Sequence, residues 1–111
     1  MCKYGDIYIA ELDTDVEGSL QSGTRPIIVI SNNKANQYSP VISVIPLTTK
    51  RKRHLPTHVL IKDCGLPRPS VVLAEQITAL NQSRLQRKVG SIQGTVYEKQ
   101  VKKAIEIQLN L

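Results

Sequence analysis

Two apolar runs on either side of a polar segment constrain the fold of this chain more than any other feature. The first run occupies residues 27–30 and the second occupies residues 42–45, and both are rich in isoleucine and valine. β-Branched runs of this length, bounded by turn-forming residues, are typical of buried strands. Asn-Asn at 32–33 and Ser-Pro at 39–40 supply the turn signals. The pattern predicts an antiparallel hairpin over residues 26–47, with a polar loop between its strands.

The register of this hairpin brings two polar residues together. In an antiparallel pair the numbers of facing residues add up to a constant, so the position of the turn sets every pair. A turn centred between Asn36 and Gln37 gives the constant 73, which Arg25 and Thr48 satisfy. Directly opposed Cβ atoms lie about 4.5–5.5 Å apart. We therefore expect the Arg25 guanidinium and the Thr48 hydroxyl to share one patch at the open end of the hairpin.

The charge of the chain is positive and unevenly distributed. Fifteen Lys and Arg against nine Asp and Glu give a net charge of +6, and five of the nine acidic residues precede residue 18. The remainder is strongly basic, with one concentration directly after Thr48 and a second around residues 84–88. These concentrations comprise Lys50, Arg51, Lys52 and Arg53, and Arg84, Arg87 and Lys88. Such a distribution indicates a nucleic acid or an acidic protein as the partner.

Several classes of protein are excluded by what the chain lacks. At 111 residues it fits one domain, residues 1–111, and it has no apolar stretch long enough to span a bilayer. Its polar beginning is unlike a signal peptide, which predicts a cytoplasmic protein without a membrane partner. Two cysteines are too few for a disulfide scaffold or a four-cysteine zinc site. His54 and His58 have the spacing of a zinc-binding helix, but Pro56 disrupts a helix there. We expect no metal and no cofactor.

The remaining segments predict a mainly β fold that ends in a helix. Alternation predicts a strand over residues 5–12, followed by a polar surface loop at 13–24. Further strands are predicted over 57–61, over 70–74 running into 75–80, and over 88–92, with one helical turn at 83–86. Residues 94–111 carry apolar side chains at spacings of three and four, namely Tyr97, Val101, Ala104, Ile105 and Leu109. Short strands with one terminal helix fit a small, strongly curved barrel.

The patch at Arg25 and Thr48 fits the chemistry of a phosphodiester. A guanidinium binds two phosphate oxygens at once, and a hydroxyl donates to a third. Neither group is an obvious general base, so a carboxylate, a histidine or a group on the substrate must take the proton. The histidines are interpreted as strand-face or surface residues because no carboxylate lies near them in sequence. Glu75 and Gln76 either belong to a strand that turns outward or have a functional role, in which Gln76 fixes the site or a base edge through its two-sided amide.

The ordered motifs of the chain resemble those of the MazF/PemK family of toxin endoribonucleases. The resemblance rests on Gly5-Asp6-Ile7-Tyr8, Gly18-Ser19, Gly23-Thr24-Arg25-Pro26, Pro46-Leu47-Thr48-Thr49, Pro56-Thr57-His58-Val59 and Leu73-Ala74-Glu75-Gln76-Ile77. It implies an SH3-like barrel of the MazF, PemK and CcdB kind, a homodimer, and metal-independent cleavage of single-stranded mRNA at short sequence motifs. The products implied are a 2′,3′-cyclic phosphate and a 5′-hydroxyl. The catalytic residues implied are Arg25 and Thr48.

The resemblance is closest to the Gram-positive bacterial members, whose first loop closes over the RNA and helps to read its bases. It therefore makes residues 16–22 a recognition segment, with Val16 where related toxins often have an aromatic residue. The residues expected to bind RNA are Glu17, Ser19, Gln21, Thr24, Thr49, Lys50, Arg51, Lys52, Arg53, Glu75 and Gln76. A further implied partner is a cognate antitoxin whose disordered tail folds onto the toxin and blocks the RNA groove.

Two other functions fit the same sequence pattern. A non-enzymatic toxin of the gyrase-inhibiting kind has a similar fold and would act through the C-terminal helix, residues 94–111. A plain RNA-binding barrel would bind RNA in a salt-sensitive way without cutting it. The small number of aromatic residues available for stacking on bases counts against the latter.

Overall fold

The computed structural model describes residues 1–13, 17–50 and 54–111, and within them it contains a seven-stranded sheet and two α-helices. The strands are β1 (Asp6–Leu12), β2 (Gly23–Val29), β3 (Val41–Thr48), β4 (His58–Ile61), β5 (Ser70–Leu73), β6 (Thr78–Asn81) and β7 (Leu85–Ser91); the helices are α1 (Asn33–Tyr38) and α2 (Val96–Leu109). Two short 3-10 turns, Ala74–Gln76 and Gln82–Arg84, follow β5 and β6. The predicted mainly β fold with a C-terminal helix is confirmed.

All strand pairs are antiparallel, in the order β4-β5-β3-β2-β1-β7. The strand β3 is the hub of the sheet, because its first half pairs with β6, its middle with β2 and its end with β5. Register shifts between β1 and β7 bend the sheet. No ladder among the described residues joins β7 to β4, so the sheet curves strongly without closing.

The predicted hairpin register is confirmed over three pairs of β2 and β3. Ile28 faces Ile45, and the pairs on either side follow the same constant of 73. The predicted polar loop is wrong, however, because residues 33–38 form the helix α1. The sequence favours a helix here, because the Asn32 side chain accepts a hydrogen bond from the amide of Ala35 at 2.8 Å. An asparagine at this position is a favourable N-cap.

At the centre of the sheet both faces are buried, and successive side chains of β2 and β3 point to opposite faces. Ile28 and Ile45 lie in one apolar cluster beneath α2, whereas Ile27 and Val44 lie in a second cluster on the other face. All four side chains are fully buried. This two-sided burial explains why the two strands read as continuous apolar runs rather than as an alternating pattern.

The C-terminal helix α2 packs against β4 and the Ala74–Gln76 turn, as the amphipathic pattern predicted. Thr95 caps its N-terminus by accepting a hydrogen bond from the amide of Tyr97 at 3.2 Å. Val101 and Ala104 are its buried residues. The placement of Leu109 on the packed face was wrong, because this residue is 47% exposed.

Two boundaries near the end of the chain differ from those predicted. The helical turn expected at 83–86 lies at Gln82–Arg84, and β7 already begins at Leu85. Residues 75–80 are not one strand, because a 3-10 turn precedes β6. A close crossing fixes β7 against the turn after β4, where a Cβ on Gly90 would lie 1.7 Å from the carbonyl oxygen of Cys64.

Among the described residues, no helix is long and apolar enough to cross a bilayer.

Candidate functional site

Arg25 and Thr48 lie at the ends of neighbouring strands, but the prediction that they face each other in one ladder was wrong. The β2–β3 ladder ends at the pair Ile27 and Pro46. Proline has no N–H to donate, and the ladder does not continue past Pro46. Farther along β3, Thr48 faces Val71 of β5, whereas Arg25 has its ladder partner in β1. The predicted β2–β3 register was therefore correct, but the prediction that this pairing continues past Pro46 to Arg25 and Thr48 was wrong.

The Arg25 side chain is held by its own loop. Its Nε donates a hydrogen bond to the carbonyl oxygen of Ser22 at 2.9 Å, and the residue is half-buried. Among the described residues, its two terminal nitrogens have no hydrogen-bond partner. A guanidinium fixed through Nε in this way presents its terminal N–H groups to an anion with little loss of side-chain freedom.

Thr48 ends β3 as a buried hydroxyl, with 3% of the residue exposed. Its Oγ1 accepts a hydrogen bond from the amide of Lys50 at 3.2 Å. This bond uses the acceptor side of the hydroxyl and fixes the turn that leads out of the strand. The hydroxyl proton has no acceptor within the described parts of the chain, so it can be donated to a ligand oxygen.

A second polar cluster, which we call the site cluster, consists of Thr57, His58 and Glu75. Thr57 Oγ1 donates to Glu75 Oε1 at 2.9 Å, and His58 Nε2 lies 2.7 Å from Glu75 Oε2. The pairing of β4 with β5 brings these residues together, because His58 faces Leu73 just before the Ala74–Gln76 turn. The interpretation of His58 as a strand-face residue is confirmed, because it begins β4, and the fold supplies a carboxylate partner 17 residues away in sequence.

The pKa of Glu75 is lowered by the groups around it. Burial raises the pKa of this carboxyl, but hydrogen bonds from His58, from its own backbone amide and from Thr57 outweigh that effect. The carboxylate is therefore ionised and accepts both side-chain bonds. The other ring nitrogen of His58, Nδ1, is buried without a hydrogen-bond partner in the part of the chain that the structure describes.

Gln76 connects the same turn to the first loop. Its Oε1 accepts from the amide of Gln21 at 2.8 Å, and its Nε2 donates to the carbonyl oxygen of Ser19 at 3.4 Å. Both ends of the amide are thus used to hold the loop. Between the loop and the sheet lies a cavity of about 220 Å³. The outward-turning strand was wrong, because residues 74–76 form a turn, and the role of Gln76 in fixing the site stays a prediction.

A larger groove lies beside the end of β3, on the outer face of β4 and β5. Its volume is about 620 Å³, and it is lined by Thr49, His54, His58, Leu60, Lys62, Arg68, Pro69 and Val71. None of these eight residues is acidic, and Lys62 and Arg68 are exposed and have no ion pair among the described residues. The groove therefore concentrates positive charge next to the Thr48 end of the site.

Comparison with known proteins identifies the family of this chain. Residues 3–109 match the model of the PemK-like, MazF-like toxins of type II toxin-antitoxin systems. The chain belongs to this family. The toxin is also 40% identical over 114 residues to the endoribonuclease MazF of Staphylococcus saprophyticus, a match that covers 100% of this chain and 93% of the relative.

Solved structures agree with the fold and with the family of the toxin. An endoribonuclease from a mycobacterial species, solved in complex with its cognate antitoxin, is similar with a TM-score of 0.81 at 25% identity, covering 100% of this chain and 97% of that one. The toxin MazF-mt6 of Mycobacterium tuberculosis has a TM-score of 0.79 at 26% identity, with 96% and 97% covered.

The residues of the toxin that were expected to bind RNA fall into three sets. Glu17, Ser19, Thr24, Thr49 and Lys50 are exposed around the site, on the first loop and at the two strand ends. Gln21, Glu75 and Gln76 are half-buried and make the hydrogen bonds described above. Arg51, Lys52 and Arg53, like Val16, lie outside the described residues.

The structure separates the basic residues of the toxin into paired and unpaired groups. The concentration predicted around residues 84–88 is partly neutralised, because Arg84 lies 2.8 Å from Asp13 and Lys88 lies 3.3 Å from the buried Asp6. The sequence did not indicate that Lys62 and Arg68 line one groove, because this depends on the pairing of β4 with β5. In the described residues, no group of three or more His, Cys, Asp and Glu could hold a metal ion.

Proposed function

We propose that this protein, an endoribonuclease toxin of the MazF family, is a metal-independent enzyme that cleaves single-stranded mRNA at short sequence motifs. It acts in the cytoplasm as one domain, residues 1–111, and forms a homodimer. The observation that carries the proposal is that two adjacent strands end with a tethered guanidinium, Arg25, and a buried hydroxyl donor, Thr48. The groove lined by unpaired basic residues starts at the same edge.

The reaction is an internal transfer at one phosphodiester. The ribose 2′-oxygen loses its proton to a base and forms a bond to phosphorus, and the bond from phosphorus to the 5′-oxygen breaks. A proton reaches the leaving oxygen, so the products are a 2′,3′-cyclic phosphate and a 5′-hydroxyl. Arg25 stabilises the charge on the non-bridging oxygens and Thr48 orients the phosphate, which are positioning and electrostatic contributions.

The first loop and its surroundings select the RNA and the inhibitor. Gln76 holds residues 19–21 over the sheet, which places the loop where a bound strand would pass. Exposed Ser19, Thr24 and Lys50 border the same path. The cognate antitoxin of this toxin blocks that path with a disordered tail that folds onto it, a mode that fits the net charge of +6.

Primer extension on a long defined RNA tests this proposal, because it reports whether and where the strand is cut. Purified toxin in excess chelator should cut at a small set of related sequences and leave 5′-hydroxyl ends. Arg25→Ala should lower the cleavage rate roughly 10²–10³-fold, the usual effect of removing one preorganised donor. Arg84→Ala is the matched control, because its guanidinium is paired on the surface with Asp13.

Three results would contradict the proposal. Cleavage that requires a divalent ion would remove the metal-independent mechanism, and full activity of Arg25→Ala would remove the assigned role of Arg25. If Arg25→Ala stayed toxic in cells whereas substitutions on the exposed face of the C-terminal helix abolished toxicity, the gyrase-inhibiting alternative would replace the nuclease.

A further inference from the structure

The first loop ends in a short segment, residues 18–23, which we call the strap. Gly18 and Gly23 bound it with φ angles of 77° and 74°, and no atom lies within 4 Å of where a Cβ on either glycine would be. Backbone conformation, rather than lack of space, therefore requires glycine at both positions. Leu20 is 56% exposed, and the strap borders a cavity of about 220 Å³. The strap therefore contributes little apolar burial of its own.

Hydrogen bonds connect the strap to Gln76 on one side and to Arg25 on the other. Gln76 accepts from the amide of Gln21 at 2.8 Å and donates to the carbonyl oxygen of Ser19 at 3.4 Å. The carbonyl oxygen of Ser22 accepts from Nε of Arg25 at 2.9 Å. Because Gln21 and Ser22 are adjacent in the chain, the bond that fixes the Gln21 amide also restricts where the Ser22 carbonyl can lie. A change at Gln76 is thus transmitted to Arg25.

The backbone at Gln76 belongs to a well-anchored part of the fold. Gln76 ends a 3-10 turn in which the amide of Ile77 donates to the carbonyl oxygen of Ala74 at 3.2 Å. Ala74 is fully buried, and its amide donates to the carbonyl oxygen of Thr57 at 3.0 Å. The helix α2 packs against the same turn. Gln76 is therefore a fixed point from which the strap is held.

The orientation of the Arg25 guanidinium decides how well it can act on a phosphate. Its planar fork of N–H donors binds two phosphate oxygens only when the plane is correctly turned. The bond from Nε to Ser22 fixes that plane before a ligand arrives. Without this bond the plane rotates, and its donors are no longer preorganised for the charge of the transition state.

We propose that Gln76 is a positioning residue for Arg25. It holds the strap so that the Ser22 carbonyl keeps the guanidinium turned towards the phosphate, and a toxin whose strap is released binds RNA but cleaves it slowly. This inference rests on the proposed function, because Arg25 acts on the phosphate there. The sequence left open whether Gln76 contacts a base edge; the proposal assigns both ends of its amide to the strap instead.

The first test follows the Nε–H proton of Arg25 by NMR in the protein without RNA. The resonance is identified by its loss in Arg25→Ala. In Gln76→Ala this proton should exchange with water roughly two- to tenfold faster, as expected when one hydrogen bond is lost. Thr78→Val is the control, because Thr78 borders the same cavity but its hydroxyl donates to Ala79 and not to the strap. Exchange in the control should equal that in the unchanged protein.

The second test is a double-mutant cycle on the single-turnover cleavage rate at saturating RNA. Gln76→Ala should cut roughly three- to tenfold more slowly, again the effect of one hydrogen bond. Its affinity for an RNA blocked by a 2′-O-methyl group at the cleavage site should not change, since a positioning residue affects the chemical step. In the Arg25→Ala background, Gln76→Ala should cause no further slowing, because the two residues act as a unit. Urea unfolding shows that each variant is folded.

A matched pair of glycine variants disturbs the strap without touching Gln76. Gly23→Ala strains the backbone next to the Ser22 carbonyl, and it should speed exchange of the Arg25 Nε–H and slow cleavage as Gln76→Ala does. Gly94 precedes α2, has a φ of 75° and is equally open, so Gly94→Ala introduces the same kind of strain away from the strap. This control should leave both the exchange and the cleavage rate unchanged.

Unchanged exchange of the Arg25 Nε–H in folded Gln76→Ala would overturn the proposal. It would equally be overturned if Gln76→Ala weakened RNA binding and slowed cleavage further in the Arg25→Ala background, because Gln76 would then contact the RNA itself. Absence of any cleavage by the unchanged toxin would instead contradict the proposed function. The exchange measurement needs no substrate, so the two failures are distinguishable.

Discussion

Two polar clusters in this fold are held by the same kinds of hydrogen bonds but differ in whether every polar atom has a partner. The helix-anchoring cluster consists of Ser31, Asn36 and Gln82, and the site cluster consists of Thr57, His58 and Glu75. In the first, Asn36 donates to the Ser31 carbonyl at 2.9 Å, and Gln82 Nε2 donates to the carbonyl oxygens of Asn36 and Ser39. In the second, His58 keeps one ring nitrogen without a partner among the described residues.

The difference separates a polar group that stabilises the fold from one that serves a site. Every side-chain polar atom of Asn36 that the structure describes is bonded, although the residue is 1% exposed. A cluster whose polar atoms all have hydrogen-bond partners gains no further bond from a ligand. A cluster with an unpaired polar atom beside a positive groove can gain one. Substitutions in the first cluster should therefore change stability, and substitutions in the second should change pH dependence and RNA binding.

The largest effect on stability is expected from Asn36→Ala. The change leaves the Ser31 carbonyl and hydroxyl without their buried partner, so the free energy of unfolding should fall by about 1–3 kcal/mol. Urea unfolding measures this loss. The cleavage rate per folded molecule should stay unchanged, and a large loss of cleavage in folded Asn36→Ala would mean that the two clusters do not differ in role.

Glu75→Gln should change how stability depends on pH. The folded pKa of Glu75 is depressed below its ordinary value of 4.5, so the unfolded chain binds more protons in the interval between the two pKa values. The carboxylate therefore contributes stability that is fully present above about pH 4.5 and is lost as the pH falls through the lowered folded pKa.

Urea midpoints measured from neutral pH down to about pH 3 test this prediction. The Glu75→Gln variant should lose part of the acid-induced decline that the unchanged protein has, since the amide does not titrate. Asn36→Ala is the control, and its curve should run parallel to that of the unchanged protein. An identical acid decline in Glu75→Gln would show that the carboxylate is not stabilised by its bonds.

A smaller and more local effect is expected from Gln76→Ala. The variant removes the acceptor of the Gln21 amide, so hydrogen exchange at Gln21 should become roughly two- to tenfold faster, as expected for one lost hydrogen bond. The amide of Ala35, capped by Asn32, is an internal reference whose exchange should not change. Unchanged exchange at Gln21 would mean that Gln76 does not hold the first loop.

The smallest effect is expected from breaking the surface pair of Arg84 and Asp13. Although their atoms lie 2.8 Å apart, the Asp13 side chain is 85% exposed. Exposed ion pairs of this kind contribute about 0–1 kcal/mol, so Arg84→Ala should barely move the urea midpoint. A loss as large as that of Asn36→Ala would show that short surface pairs matter here as much as buried clusters.

The parts of the fold that the sequence predicted correctly are those set by local pattern. The apolar runs of β2 and β3 and the turn residues between them determine the hairpin register, which is why Ile28 was correctly paired with Ile45. The helix α2 likewise follows from its spacing and from the cap at Thr95. The cap at Asn32 was an equally local signal for α1, but it was interpreted as a turn.

The parts that the sequence did not predict depend on pairings between distant strands. The change of partner by β3 after Pro46 moves Thr48 next to Val71, and no local pattern indicates which strand will take that place. The bond between His58 and Glu75 likewise requires the register of β4 against β5. The segment after β4, with its turn at 63–65, was a signal for that hairpin, and pairing it would have brought the two residues together.

The most direct test of the central claim is the single-turnover cleavage rate of one defined RNA by the unchanged protein and by Arg25→Ala, both in excess chelator. In the proposed mechanism the tethered guanidinium of Arg25 acts together with the Thr48 hydroxyl and without a metal. The account predicts cleavage by the unchanged protein and a rate roughly 10²–10³-fold lower for the folded variant. Equal rates for the two proteins, or cleavage only after a divalent ion is added, would contradict it.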